Sequence, residues 1–218
     1  MDKIIILLTS TVNVQSKSVV FQKSKEERIN AYIKPIKKWL YNSKFTIVLV
    51  ENSGYTFPEL KEDLDYYKER FEIITFKEKE VKEAKYLTKE EGKGGSEMFA
   101  IHYAFYHSFL MKKSFFIIKV TARYFIPELE NYLMNINLDE YDGLCQNNPD
   151  RCEMVGTHRK NFHIIFNKYL INDDGNYDQH VENIYKQRLN WFKKIIKCKL
   201  FPIEKTQRGG VAEFYNAI

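Results

Sequence analysis

The sequence predicts a single-domain α/β protein, a mixed sheet with a parallel core flanked by helices. Apolar runs of strand length alternate with longer segments of helical spacing, the pattern that builds a parallel sheet with crossover helices. The first run, IIILL, is continuous and reads as a strand buried on both faces. The 218 residues suffice for one sizeable core, and no boundary or internal repeat divides them.

Residues 3–9 read as the first strand. Over 25–42, Ile29, Tyr32, Ile33, Ile36, Trp39 and Leu40 recur at helical spacing, with Ser24 and Glu27 as a capping box and Pro35 as a possible kink. FTIVLV at 45–50 is the second strand, ending in the polar turn ENSGY. Residues 58–70 read as a charged helix with Pro58 in its first turn, and 72–76 as a third strand. A lysine- and glutamate-rich loop spans 77–91. Lys93-Gly94-Gly95 then leads into a helix over about 96–112, with Ser96 as its N-cap and apolar residues around most of its circumference. A strand at 115–120, a helix at 127–136, a strand near 143–146, a hairpin over 152–166 and a long helix over 178–197 follow.

Net charge is +5 and the pI about 8.8, with both signs interspersed. A nucleic-acid binder concentrates its basic residues or exceeds a pI of about 9, so no nucleic-acid partner is expected. The three cysteines, Cys145, Cys152 and Cys198, form no CxxC pair, which points to a reducing compartment. The N-terminal apolar run of five residues is too short for a signal-peptide core or a membrane span. No transmembrane segment and a cytoplasmic location are expected. His102 and His107 are five apart, as are His158 and His163, and each pair diverges on its element, so neither makes a metal site.

Ligands of open α/β sheets bind outside the carboxyl ends of the strands. Three such ends carry polar clusters: Thr9-Ser10-Thr11, Glu51-Asn52-Ser53-Gly54 and Thr121-Ala122-Arg123. Each alone is better read as a turn with ordinary turn residues; three at neighbouring ends indicate a shared pocket. Lys93-Gly94-Gly95 opens a helix, where backbone amides and a lysine suit an anion; a plain loop-to-helix turn explains it as well.

The order of these pieces resembles the nucleotide-binding half of glycosyltransferases with the GT-A fold. VENSG stands where that family has an acidic-polar turn for base and ribose, KGGSEMFAIHYAF where it has a Gly-containing loop and helix, and TAR where it has the metal-binding DxD motif. ENSGY, KGGSEM and KVTARYF further resemble a little-characterised group of bacterial and viral sugar-transferase-like proteins that reads ENSGY, KGxGE and KITGRY there. The resemblance covers roughly residues 1–135 and implies a GT-A-like, Rossmann-like fold, with a nucleotide-sugar-binding half at 1–135 and an acceptor and catalytic half at 136–218. It implies a nucleotide-sugar donor held by Thr9, Ser10, Glu51, Asn52, Ser53, Lys93, Gly94, Gly95, Thr121 and Arg123, and a glycan or glycoconjugate acceptor. Neither Thr121 nor Arg123 is a usual ligand for Mg or Mn. No cofactor is therefore required, and the metal bridge to the diphosphate is not expected. Arg123, a permanent planar cation, is matched to phosphate instead; pairing with a core-edge carboxylate is its other reading.

DQHVENIYKQRL, starting at Asp178, loosely resembles the acidic helix start that supplies the catalytic base in many such transferases. Asp178, His180 and Glu182 are the candidates, and N-terminal charge pairing with the helix dipole is the alternative for each. Arg208-Gly209-Gly210 either folds over the donor phosphates or forms a mobile tail. Glycosyl transfer is thus the expected activity. A nucleotidyltransferase, which would need strand-end carboxylates, and a non-catalytic nucleotide- or glycan-binding protein are the alternatives.

Overall fold

The structure, a computed structural model, describes residues 4–14, 24–87, 92–148, 150–210 and 212–218. Residue 3 of the expected first strand and residues 88–91 of the lysine- and glutamate-rich loop lie outside them.

A seven-stranded mixed sheet forms the middle layer. Its strands are β1 (Ile4–Ser10), β2 (Thr46–Glu51), β3 (Phe71–Thr75), β4 (Phe116–Thr121), β5 (Gly143–Cys145), β6 (Met154–His158) and β7 (Ile195–Lys197), in the order β3-β2-β1-β4-β6-β5-β7. β3, β2, β1 and β4 run parallel, and β6 is antiparallel to both of its neighbours. β1 is buried along its whole length, as its unbroken apolar run requires.

Side-chain alternation sends Ile4, Ile6 and Leu8 to one face and Ile5 and Leu7 to the other. The first face is covered by α1 (Lys25–Asn42), α2 (Lys61–Tyr66) and α4 (Leu129–Met134). The second is covered by α3 (Gly92–His107), α5 (Phe162–Ile165) and α6 (Val181–Asn190). α1 has the expected limits. The Ser24 hydroxyl accepts from the Glu27 amide, and the helix runs on through Pro35 with Tyr32, Ile36, Trp39 and Leu40 buried. Trp39 also donates from Nε1 to the Tyr124 carbonyl at 2.9 Å, which ties α1 to the segment after β4.

Several expected elements differ. The helix over 58–70 is a 3-10 turn at Pro58–Leu60 followed by the six-residue α2. α3 starts at Gly92, so Lys93, Gly94 and Gly95 lie in its first turn rather than before it. Ser96 is not its N-cap: buried inside the helix, it donates to the Gly92 carbonyl. The hairpin over 152–166 is β6 alone. Phe162, Ile165 and Phe166 then bury a helical i, i+3, i+4 face, so that segment turns into α5. The long helix over 178–197 stops at Asn190, and Ile195–Lys197 pairs in parallel with β5 as an edge strand. β8 (Pro202–Gln207) and β9 (Phe214–Ala217) form an antiparallel hairpin.

Candidate functional site

The chain leaves β1 toward β2 through α1 on one face, and reaches β4, on the other side of β1, through α3 on the opposite face. The strand order therefore reverses between β1 and β4, and the first turns of α1 and α3 flank the carboxyl ends of these two strands. A crevice at such a reversal is where open α/β sheets bind ligands.

Three cations converge there, one from each element: Arg28 from the first turn of α1, Lys93 from the first turn of α3, and Arg123 just after β4. Arg28 donates from Nε to the Thr11 carbonyl and from Nη2 to the Tyr32 hydroxyl, both at 2.7 Å. Arg123 reaches the same hydroxyl at 3.5 Å, and both guanidinium carbons lie 5.6 Å from the Tyr32 ring centroid. Partial burial, then Arg28 and then Arg123 push the Lys93 pKa below the ordinary lysine value. Burial also lowers that of Arg28, with Arg123 adding to the effect. Like charges gathered this closely favour an anion between them.

The turn of the β8–β9 hairpin covers this cluster. A Cβ added to Gly209 would fall 2.5 Å from Arg123 Nη2, and one on Gly210 would fall 3.3 Å from Lys93 Nζ. Arg208 and Arg151 lie over the Tyr215 ring, at 4.7 and 3.4 Å, and Glu204 binds Lys34 and Lys38 of α1. Arg208-Gly209-Gly210 is thus packed on the crevice rather than a loose tail.

The second strand end is built differently from expectation. Glu51 shares a face with Ser10, its register partner, while Thr9 points to the opposite, α3 face. Glu51 is fully buried and accepts from the amides of Val12, Ser53 and Tyr55 at 2.8–2.9 Å, and from the Ser53 hydroxyl. It therefore organises the turn and does not line a pocket with Thr9. Asn52 accepts from Thr11 Oγ1 at 2.7 Å and donates to Glu78 at 3.0 Å, and Ser53 Oγ accepts from the Asn13 amide at 2.8 Å. Gly54, at φ +86°, closes the turn in the left-handed region that glycine tolerates. Ser10 donates to the Val50 carbonyl.

On the α3 face, Thr9 and Thr121 are register partners. Thr9 Oγ1 donates to Glu97 Oε1 at 2.6 Å, and the fully buried Lys119 ammonium lies 3.0 Å from the same oxygen. Lys119 also donates to the Cys152 carbonyl at 2.5 Å. Burial opposes its charge, yet Glu97 holds its pKa above the ordinary value. Gly94 and Gly95 serve packing: Gly95 is buried, and a Cβ on Gly94 would stand 2.9 Å from Val181 Cβ, so glycine lets α6 begin against α3.

At that start, Asp178 accepts from the His180 amide at 2.8 Å and from Asn183 Nδ2 at 3.0 Å. Although burial works against it, these bonds hold its carboxyl below the ordinary range. Asp178 is engaged in shaping the helix start, and His180 is exposed in the N-cap position. Glu182, in the first turn of α6, is partly buried, and its charge is felt by Cys152 and Tyr185, the two groups that also feel Glu97. The start of α6 lies beside the first turn of α3, and of its candidates Glu182 is the one whose charge reaches the groups that feel Glu97.

Arg28 and Lys119 escaped the sequence reading. Arg28 looked like one more charge on a charged helix, and a lysine inside an apolar strand carried the only visible signal. Among the described residues, no group of three or more His, Cys, Asp and Glu side chains is placed to hold a metal ion, and all three cysteines are free and buried. No helix among them is long and apolar enough to cross a membrane.

No family model and no curated protein matches the chain. Solved structures do. The glycosyltransferase GlyE of Streptococcus pneumoniae TIGR4 aligns with a TM-score of 0.55 at 10% identity, over 90% of this chain and 45% of GlyE. A protein of Desulfovibrio desulfuricans G20, assigned as a nucleotide-diphospho-sugar transferase, aligns with a TM-score of 0.48 at 13% identity, over 91% of this chain and 80% of its own. S. aureus TarS 1–349 aligns with a TM-score of 0.48 at 9% identity, over 88% and 57%. The chain spans about half the length of GlyE and of that TarS fragment. At such identities the likeness shows the fold, a single-domain GT-A-like mixed sheet flanked by helices.

Proposed function

We propose that the protein is a glycosyltransferase that moves a sugar from a nucleotide-sugar donor to a hydroxyl of a glycan or glycoconjugate, with protein cations in the place of a divalent metal. The observation that carries this reading is the convergence of Arg28, Lys93 and Arg123 on the crevice between β1 and β4. The GT-A-like fold adds support.

A metal fits this strand end poorly. Thr121 and Arg123 offer a hydroxyl and a cation where DxD offers carboxylates, and two more cations stand close by. A divalent ion prefers carboxylate oxygens and is repelled by such charge. The diphosphate of a donor fits instead: Arg123 supplies a planar fork, Lys93 a point charge, and the amides of the α3 first turn further donors. The base and ribose lie along the 51–53 turn, held in shape by Glu51, with Ser53 partly exposed and Asn52 buried within it. Thr9, Ser10 and Thr121 edge the crevice, and Gly94 and Gly95, which serve packing, let α6 begin against the first turn of α3 that faces the phosphates. Residues 136–218 carry the acceptor side.

In the reaction an acceptor hydroxyl attacks the anomeric carbon while the bond from that carbon to the phosphate oxygen breaks. The hydroxyl proton passes to Glu182, with His180 as the other candidate, and the electron pair leaves with the nucleoside diphosphate. Charge grows on the leaving phosphate, where pre-positioned cations contribute most.

The test incubates the protein with a panel of nucleotide sugars, with and without EDTA, and measures nucleoside diphosphate release. Release that persists in EDTA supports the reading. Pyrophosphate release from a nucleoside triphosphate would instead mark a nucleotidyltransferase. Ligand binding with no turnover would mark a non-catalytic binding protein. Binding itself is read by thermal shift, since a ligand at a hundred times its Kd stabilises by about 2.7 kcal/mol.

A further inference from the structure

We propose that Glu97 reads the hydroxyl groups of the donor sugar, and that the buried Lys119 is the positioning residue that aims it; the inference rests on the nucleotide-sugar reading above. Lys119 is fully buried on the α3 face of the central strand β4. A lysine there is costly, and an apolar side chain of similar volume commonly serves stability as well or better. Its ammonium is spent on two acceptors, the Cys152 carbonyl and Glu97 Oε1. Thr9 donates to that same oxygen. Two donors from adjacent strands thus fix Glu97 Oε1, which leaves Oε2 without a hydrogen bond among the described residues. The Glu97 side chain keeps 21% of its surface accessible although it stands beside a core lysine.

Position gives the free oxygen its ligand. Lys93 and Glu97 are four residues apart on α3 and share one face, about one helical turn, or roughly 5–6 Å, from each other. Lys93 belongs to the cation cluster assigned to the diphosphate. In a nucleotide sugar the pyranose is bonded directly to the terminal phosphate, so its ring lies within that distance of the phosphate-binding cations. An ionised carboxylate with one oxygen locked and one open accepts hydrogen bonds from vicinal ring hydroxyls and discriminates against donors that lack them. Glu182 comes to the same neighbourhood from α6, so the ring would lie between the residue that orients it and the proposed base.

The experiment compares Glu97→Gln with the wild type for two ligand sets: UDP and GDP alone, and UDP-glucose, UDP-galactose and GDP-mannose with their ring-deoxy analogues. Nucleoside diphosphate affinity should stay within about twofold. The affinity and KM for the accepted nucleotide sugar should worsen about ten- to a hundredfold, the value of a hydrogen bond to a charged group. The deoxy analogue lacking the recognised hydroxyl should bind wild type and variant alike. If Glu97→Gln does not fold because Lys119 is left unpaired, the double variant Glu97→Gln/Lys119→Met, which removes the buried charge together with its partner, is put through the same comparison. Unchanged nucleotide-sugar affinity in a folded variant overturns the inference. So does an equal loss for diphosphate and nucleotide sugar, which would make the ion pair a support of the whole site. A wild type that binds no nucleoside diphosphate overturns the donor reading itself, and this inference with it.

Discussion

Gly209 lies against the guanidinium of Arg123, so closely that a methyl built on its Cα would fall 2.5 Å from Nη2 and 2.8 Å from Cζ. The neighbour is the far end of a flexible side chain, so Gly209→Ala should leave the fold intact. It should displace Arg123 from the crevice. The expected outcome is a melting temperature within a few degrees of wild type and a nucleoside diphosphate affinity at least several-fold weaker. Unchanged affinity in the titration would show that the hairpin turn does not govern where Arg123 points.

Arg123 itself should matter more. Removing one pre-positioned charge-stabilising donor costs on the order of 3 kcal/mol, about a hundredfold in rate. Arg123→Ala should lose that much activity, with circular dichroism unchanged. Arg123→Lys should recover only part of it, since lysine lacks the planar fork. EDTA should leave the wild-type rate as it was. A rate abolished by chelator and restored by manganese would refute the substitution of arginine for metal.

The base prediction separates two neighbours on α6. Glu182 is partly buried, whereas His180 is exposed. Glu182→Gln should lower kcat by about a hundredfold or more, the usual range for a general base, with donor KM little changed. His180→Ala should retain most of the rate. Full activity in both variants would place the base elsewhere.

His102 makes stability depend on pH. Burial, with help from Lys168 and His163, lowers its pKa to about 4, and its Nδ1 is buried without a partner, as suits a neutral ring. In the unfolded chain the group titrates near its ordinary value of 6.5. Below that value the unfolded state binds a proton that the folded state refuses, so stability falls as pH drops from about 6.5 to about 4 and levels off beneath. The ring is only half-buried, so solvent screening keeps the loss from this residue below about 3 kcal/mol. Urea titrations across this range should show a smaller pH slope for His102→Phe than for wild type; equal slopes would remove His102 as the cause.

Legibility of the chain followed the range of the signal. β1, β2, β4 and α1 were readable because their patterns are local: continuous apolar runs for the strands, and helical spacing with the Ser24 cap for α1. Residues 162–166 and 195–197 were misread because short apolar stretches fit a strand or a helix equally well, and tertiary partners decided between them. Arg123 and Lys93 could be picked out as strand-end and helix-start cations. Arg28 could not, since its place beside them depends on α1 and α3 meeting at one crevice.

By itself the sequence determined the alternation of strands and helices, the parallel core, and which polar groups stand at strand ends, because side-chain period and turn chemistry act over a few residues. Only the tertiary structure decided which of those polar groups share a face. Thr9 and Glu51 stand at neighbouring strand ends, yet a one-residue offset in register turns them to opposite sides of the sheet, one toward Glu97 and Lys119 and the other into its own turn. It also decided that Gly209, 86 residues beyond Arg123, rests on that guanidinium. Contacts at such separation are set by how whole layers pack, and no local pattern encodes them.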